Sequence, residues 1–191
     1  PAPYAGLYPL DSVPLPALLD ADVSDKPPHL QRRSRRDLGR REGGAAIRRC
    51  IAYYSALVTL IDEYVGRLAD ALESAGLLEN TLIVYTSDHG EMLGDFGMSG
   101  KANFYEPVLR VPLFVVPPGG ARRPRHAGDL VEVMDIAPTV LDYAGLAAPP
   151  QMQASSLRPL VEGRPGGRDS ILSEYTSNDR RLDGKCLRTE R

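Results

Sequence analysis

Ile47, Ile51, Tyr54, Val58, Ile61, Val65, Leu68 and Leu72 recur at alternating spacings of four and three residues. An α-helix returns those positions to one face, so the chain contains one long amphipathic helix whose stripe needs an apolar partner. Gly76, followed by Leu77, supplies a left-handed position and a hydrophobic contact to close that helix. Thr81 to Thr86 is a short β-branched run of the kind found in strands buried on both faces. Helix, short loop and buried strand form half of an α/β unit. A coiled coil shares the spacing, but strands follow at once, so the stripe is expected to pack on a sheet and to be core rather than site.

The flanking segments set the organisation. Residues 1–42 carry Pro1, Pro3, Pro9, Pro14, Pro16, Pro27 and Pro28, too many lost donors for regular structure, and are expected to cross the surface. From His29 to Arg49 there are eight arginines against Asp37 and Glu42. No aromatic residue interleaves them to stack on bases, so a solvated face or a subdomain contact is expected and nucleic acid is not. Residues 43–145 read as part of an α/β core. A second strand covers Val111 to Val116, stopped by Pro117-Pro118-Gly119-Gly120. A third is expected over Leu130 to Val133, and Asp135 is placed to cap a helix through Leu141, with Pro138 in its first turn and Gly145 at its end. Residues 146–191 read as the start of a smaller C-terminal subdomain, with one strand over Ser170 to Tyr175.

Composition excludes several classes. At 191 residues, 25% charged and a formal net charge of −2, the chain is neither an acidic disordered tail nor a strongly basic nucleic-acid binder. No apolar run reaches the roughly 20 residues of a membrane span. Any targeting segment is absent or lies upstream, which leaves the compartment open. Cys50 and Cys186 are too few for a disulfide framework or a Cys-based zinc site and are expected as two thiols.

Chemistry-bearing residues cluster after the first strand. Ligands of open α/β sheets bind outside the carboxyl ends of strands, and the strand ending near Thr86 runs into Ser87-Asp88-His89-Gly90-Glu91. Asp88 and His89 offer a carboxylate and an imidazole, both good ligands for a divalent cation, and Gly90 lets the backbone turn so that they converge. The same residues also suit an Asx-type turn with a surface histidine. Lys101 stands at the end of a glycine-rich stretch in a chain with 20 Arg and only three Lys. A compact ammonium there could meet a substrate anion, or it could be a solvated loop lysine.

Thr86-Ser87-Asp88-His89-Gly90-Glu91-Met92-Leu93-Gly94-Asp95, then Gly100-Lys101, Phe104-Tyr105-Glu106 and Arg110-Val111-Pro112-Leu113, resemble the second half of the sulfatases in the alkaline phosphatase superfamily. The resemblance continues through Met134-Asp135-Ile136-Ala137-Pro138-Thr139 and Ser156-Leu157. It implies an alkaline-phosphatase-like α/β sheet flanked by helices, incomplete here. It also implies that Asp88 and His89 are two ligands of one divalent cation, calcium foremost with manganese, magnesium or zinc as alternatives. The Asp-His pair is similar to that of iduronate-sulfatase-like enzymes and phosphonate monoester hydrolases. Lys101 matches the lysine that holds the sulfate or phosphonate oxygens. In such enzymes the nucleophile is a formylglycine hydrate made from Cys or Ser.

The nucleophile motif, Cys or Ser with Pro two residues on and Arg two further, occurs nowhere in the chain, and the family's paired N-terminal aspartates are missing too. Phe96 stands where many relatives have His. The chain therefore reads as an internal or C-terminal fragment of a sulfatase, with its formylglycine expected upstream and no turnover expected from the fragment alone. The parent is expected to hydrolyse a sulfate ester, with a phosphonate monoester or phosphodiester as the alternative. A non-catalytic interaction module using the arginine-rich segment and the long helix is the rival. No membrane partner is expected, and oligomeric state is not legible.

Overall fold

The computed structural model describes residues 1–36, 44–120, 127–177 and 183–189. The expected boundary near residue 42, with Asp37, Arg40, Arg41 and Glu42, lies outside them. Two compact units form: Pro1–Ala71 with Gly90–Lys101, and Leu72–His89 with Ala102–Arg191.

In the first unit a nine-residue helix, α1 (Pro28–Arg36), forms inside the segment expected to lack regular structure. The prolines explain both outcomes. They crowd the chain up to Pro28, which stands at the helix start where a missing N–H is tolerated, and none follows through Arg36. The long helix, α2, runs Gly44–Ser74. Its end is as the sequence predicts: Gly76 adopts φ +67°, and the amides of Gly76 and Leu77 return to the carbonyls of Glu73 and Leu72, each at 2.9 Å.

The expectation that the α2 stripe is core holds only at its start. Ile47 is 1% exposed, but Val58, Ile61 and Leu68 are 49%, 47% and 62% exposed. Length gives the reason. A 31-residue helix is about 46 Å long, whereas strands of four residues, β1 (Ile83–Thr86) and β2 (Leu113–Val116), measure about 13 Å. No sheet among the described residues is long enough to cover it. Among the described residues, Val13, Leu19, Val23, Leu30, Ile47, Ala52, Ala56, Met92 and Met98 are the buried apolar side chains of the first unit.

In the second unit β1 and β2 pair antiparallel, with Ile83 opposite Val116 and Thr86 opposite Leu113. β1 is half-buried along its length rather than buried on both faces. A one-turn helix, α3 (Glu106–Leu109), precedes β2. The third strand expected over Leu130 to Val133 reduces to a single bridge between Leu130 and Arg168, followed by a 3-10 turn over Val133–Asp135. Asp135 does not cap α4 (Ile136–Tyr143) with its side chain; its carboxylate accepts the Glu132 amide at 2.9 Å and caps the preceding turn. That carboxylate is 1% exposed and also takes the Ser155 amide at 2.8 Å and the Arg168 guanidinium. A buried charge needs such partners. Thr139 adds its hydroxyl as acceptor for the Leu157 amide at 2.8 Å, so this stretch holds the chain ahead of α5 (Arg158–Val161).

The C-terminal part is a hairpin of β3 (Ser170–Thr176) and β4 (Asp183–Thr189), with Ser170 opposite Thr189. β3 is the strand expected from sequence. β4 is not, because Asp-Gly-Lys-Cys-Leu-Arg carries no β-branched residue before Thr189. Pairing stabilises it instead, including Glu174 opposite Lys185 with a 2.5 Å ion pair. Both cysteines are free thiols.

Candidate functional site

β1 ends at Thr86, and the chain turns at once through Ser87, Asp88 and His89 in the second unit. The Ser87 hydroxyl donates to the His89 carbonyl at 2.8 Å. Asp88 Oδ1 accepts the His89 amide at 3.0 Å, and Asp88 Oδ2 lies 3.4 Å from His89 Nε2. The turn thus brings the two expected ligands into direct contact. The Asp88 side chain is 82% exposed and that of His89 35%. The Asp88 bond runs to the amide one residue on, whereas an Asx turn bonds two residues on; the second oxygen beside an imidazole nitrogen makes a two-donor cluster. Among the described residues no group of three or more His, Cys, Asp or Glu gathers as a metal cage.

Lys101 closes the glycine-rich loop of the first unit and is exposed. The loop is tightly organised. The Met92 amide donates to the Gly100 carbonyl at 3.1 Å and the Gly94 amide to the Met98 carbonyl at 2.8 Å, while Met92 and Met98 are buried to 1% and 0% exposure. Leu93 and Phe96 sit at φ +46° and +55°, each a left-handed conformation that costs an ordinary residue about 1–2 kcal/mol. Such backbone persists only where its surroundings over-determine it. Gly94 is required for a different reason: at φ +105° a Cβ there would fall 2.8 Å from Ile47 Cγ2. Burial pushes the Asp95 carboxyl above its ordinary range. Phe96 is pinned by its backbone, its amide donating to the Leu18 carbonyl at 2.8 Å and its carbonyl accepting from the Ser34 hydroxyl at 2.6 Å.

Glu91 and Arg33 are the residues whose part in this loop the sequence reading misses. Glu91 Oε1 accepts the Leu93 amide at 3.3 Å and also the Gly100 amide, tying the start of the loop to its end. Arg33 hides in a run of arginines. The signal that separates it is spacing, since Arg33 lies three residues after buried Leu30 and beside buried Ser34 on one face of α1 and is half-buried, while Arg32, Arg35 and Arg36 are exposed. In the second unit Glu106 pairs with Arg188, which holds its carboxyl below the usual range and joins α3 to β4.

A family model described as Sulfatase matches residues 20–146. An arylsulfatase of Clostridium perfringens is 36% identical over 135 residues, covering 69% of this chain and 28% of its own length. The multifunctional alkaline phosphatase superfamily protein PehA of Trinickia caryophylli is 34% identical over 199 residues, covering 93% of this chain and 38% of its own. Among solved structures, the phosphonate monoester hydrolase SpPMH from Silicibacter pomeroyi superposes with a TM-score of 0.81 at 33% identity over 92% of this chain and 37% of that one. The chain thus spans less than two-fifths of each.

Proposed function

Since this chain belongs to the sulfatase family, with an alkaline-phosphatase-like α/β fold, we propose that it supplies the cation- and anion-holding part of a longer, metal-dependent hydrolase of sulfate esters. The observation that carries this reading is the contact between Asp88 and His89 at the carboxyl end of β1, inside the matched span. Two donors each 2.0–2.6 Å from one cation at right angles would lie roughly 2.8–3.7 Å apart. The 3.4 Å between Asp88 Oδ2 and His89 Nε2 fits that donor set, with calcium foremost and manganese, magnesium or zinc as alternatives. Further ligands and the nucleophile, a formylglycine, would come from outside this chain, which contains no Cys or Ser in the required motif.

When bound, the cation would polarise the transferring group and favour the ionised nucleophile. Asp88 supplies negative charge that offsets the cation's own and a fixed oxygen that orients it. His89 would supply a ring nitrogen from the turn that Ser87 closes. Lys101 holds the sulfate oxygens, offsetting the charge that accumulates there as the ester bond breaks. The fragment alone lacks the nucleophile and is inactive on this reading. A phosphonate monoester or phosphodiester substrate is the second reading, supported by the likeness to SpPMH over 92% of the chain.

Steady-state assays of the longer protein on an aryl sulfate, an aryl phosphonate monoester and a phosphodiester test this. The expected result is fastest sulfate turnover, lost on chelation and restored by a divalent cation. Preference for the phosphonate monoester would establish the second reading, and turnover indifferent to exhaustive chelation would contradict both.

A further inference from the structure

The arginine run of α1 contains one residue with an internal task. Arg33 donates from one guanidinium nitrogen to the Ser99 carbonyl and from another to the Lys101 carbonyl, straddling Gly100. Gly100 turns there at φ +73°, and a Cβ on it would come within 3.3 Å of Arg33 Nη2. Beside this contact, the neighbouring Ser34 hydroxyl holds the Phe96 carbonyl, and from inside the loop Glu91 holds the Gly100 amide. The carbonyls of Ser99 and Lys101 and the amide of Gly100 are therefore fixed by two oppositely charged side chains.

We infer that Arg33 is a positioning residue, which fixes the backbone from which the Lys101 side chain leaves and so holds its ammonium ready for the substrate anion. The inference rests on the reading of Lys101 given above. Guanidinium chemistry suits the task. Its planar fork presents two N–H groups at a fixed angle to two carbonyls, whereas an ammonium offers a single compact charge that cannot hold both in one geometry. The backbone of the loop is strained at Leu93 and Phe96, so without the external clamp it has reason to relax. A flexible four-carbon side chain on a shifting backbone would meet the anion less often, which is a loss of preorganisation.

A double-mutant cycle on the longer enzyme tests this, with Arg33→Met, Lys101→Ala and the double variant assayed on the substrate it turns over. Arg33→Met is expected to lower kcat/KM by about tenfold or more. In the Lys101→Ala background the same change is expected to cost less than about twofold, because its effect passes through a side chain already removed. Equal losses in both backgrounds would overturn the inference by making Arg33 a general support of the fold; so would kcat/KM within about twofold of wild type in Arg33→Met. Arg33→Lys, which keeps charge and stem on α1, is expected to show the same non-additivity and replaces Arg33→Met if that variant does not fold. If Lys101→Ala alone left kcat/KM unchanged, the reading of Lys101 would fail first, and the two failures are distinguishable.

Discussion

Asp88 Oδ2 and His89 Nε2 stand 3.4 Å apart, while the other Asp88 oxygen accepts the His89 amide. That local hydrogen bond orients the Asp88 carboxylate toward the His89 side of the turn, and it does not depend on the carboxylate's charge. An Asp88→Asn side chain keeps an acceptor oxygen of the same reach. Shape and charge at this turn can be separated by that one substitution.

Lys101→Arg is expected to fail as a rescue of Lys101→Ala in the longer enzyme. The ammonium fits between anionic oxygens as a point charge, while the broad guanidinium would displace the substrate. Loss of one preorganised positive donor costs on the order of 3 kcal/mol, about a hundredfold in kcat/KM. Steady-state kinetics decide it: Lys101→Arg within about threefold of wild type, well under 1 kcal/mol, would show that Lys101 has no part in holding the substrate anion.

The two ends of the α2 stripe should respond differently to truncation in the 191-residue chain. Ile47, 1% exposed and packed beneath Gly94, should cost about 2–5 kcal/mol as Ile47→Ala. Leu68, 62% exposed, should change stability by less than about 0.5 kcal/mol as Leu68→Ala. Urea unfolding measures both. A large loss at Leu68 would mean that the far end of the stripe is covered.

Asp95 gives a pH dependence with a definite sign. Burial raises its carboxyl above the ordinary value of 3.8, so the folded chain holds that proton more tightly than the unfolded one. Its contribution is fully present below the unfolded value and is lost as pH rises through the folded value. Asp95→Asn should therefore melt higher than wild type at pH 7, on the order of 1 °C for a partly exposed group in a chain of this size, and alike at pH 3. A lower melting temperature at pH 7 would show that the Asp95 charge is held by a partner.

Local signals were legible where the physics is local. The four-three spacing from Ile47 to Leu72, the Gly76 stop, the β-branched run of β1 and the strand over Ser170 to Tyr175 depend on neighbouring residues, and all appear where expected. What sequence misread depends on distant partners. The α2 stripe marks an apolar face but cannot say whether anything long enough lies across it. β4 has no intrinsic strand signal and is held by β3 and Glu106. Asp135 reads as a helix cap, yet Arg168, far along the chain, draws its carboxylate elsewhere. At the candidate site the residue types and the turn were legible, while the support from Arg33 was not, because six of the other seven arginines in its run stand on exposed or undescribed positions.

Metal content measured beside aryl sulfate turnover in the longer enzyme, wild type against Asp88→Asn, tests whether Asp88 holds a catalytic cation. Asp88→Asn, with an unchanged circular dichroism spectrum, is expected to lose both the bound divalent cation and turnover, because the amide keeps the hydrogen bond to His89 but not the charge that holds the cation. Full metal occupancy with wild-type turnover in Asp88→Asn would contradict it.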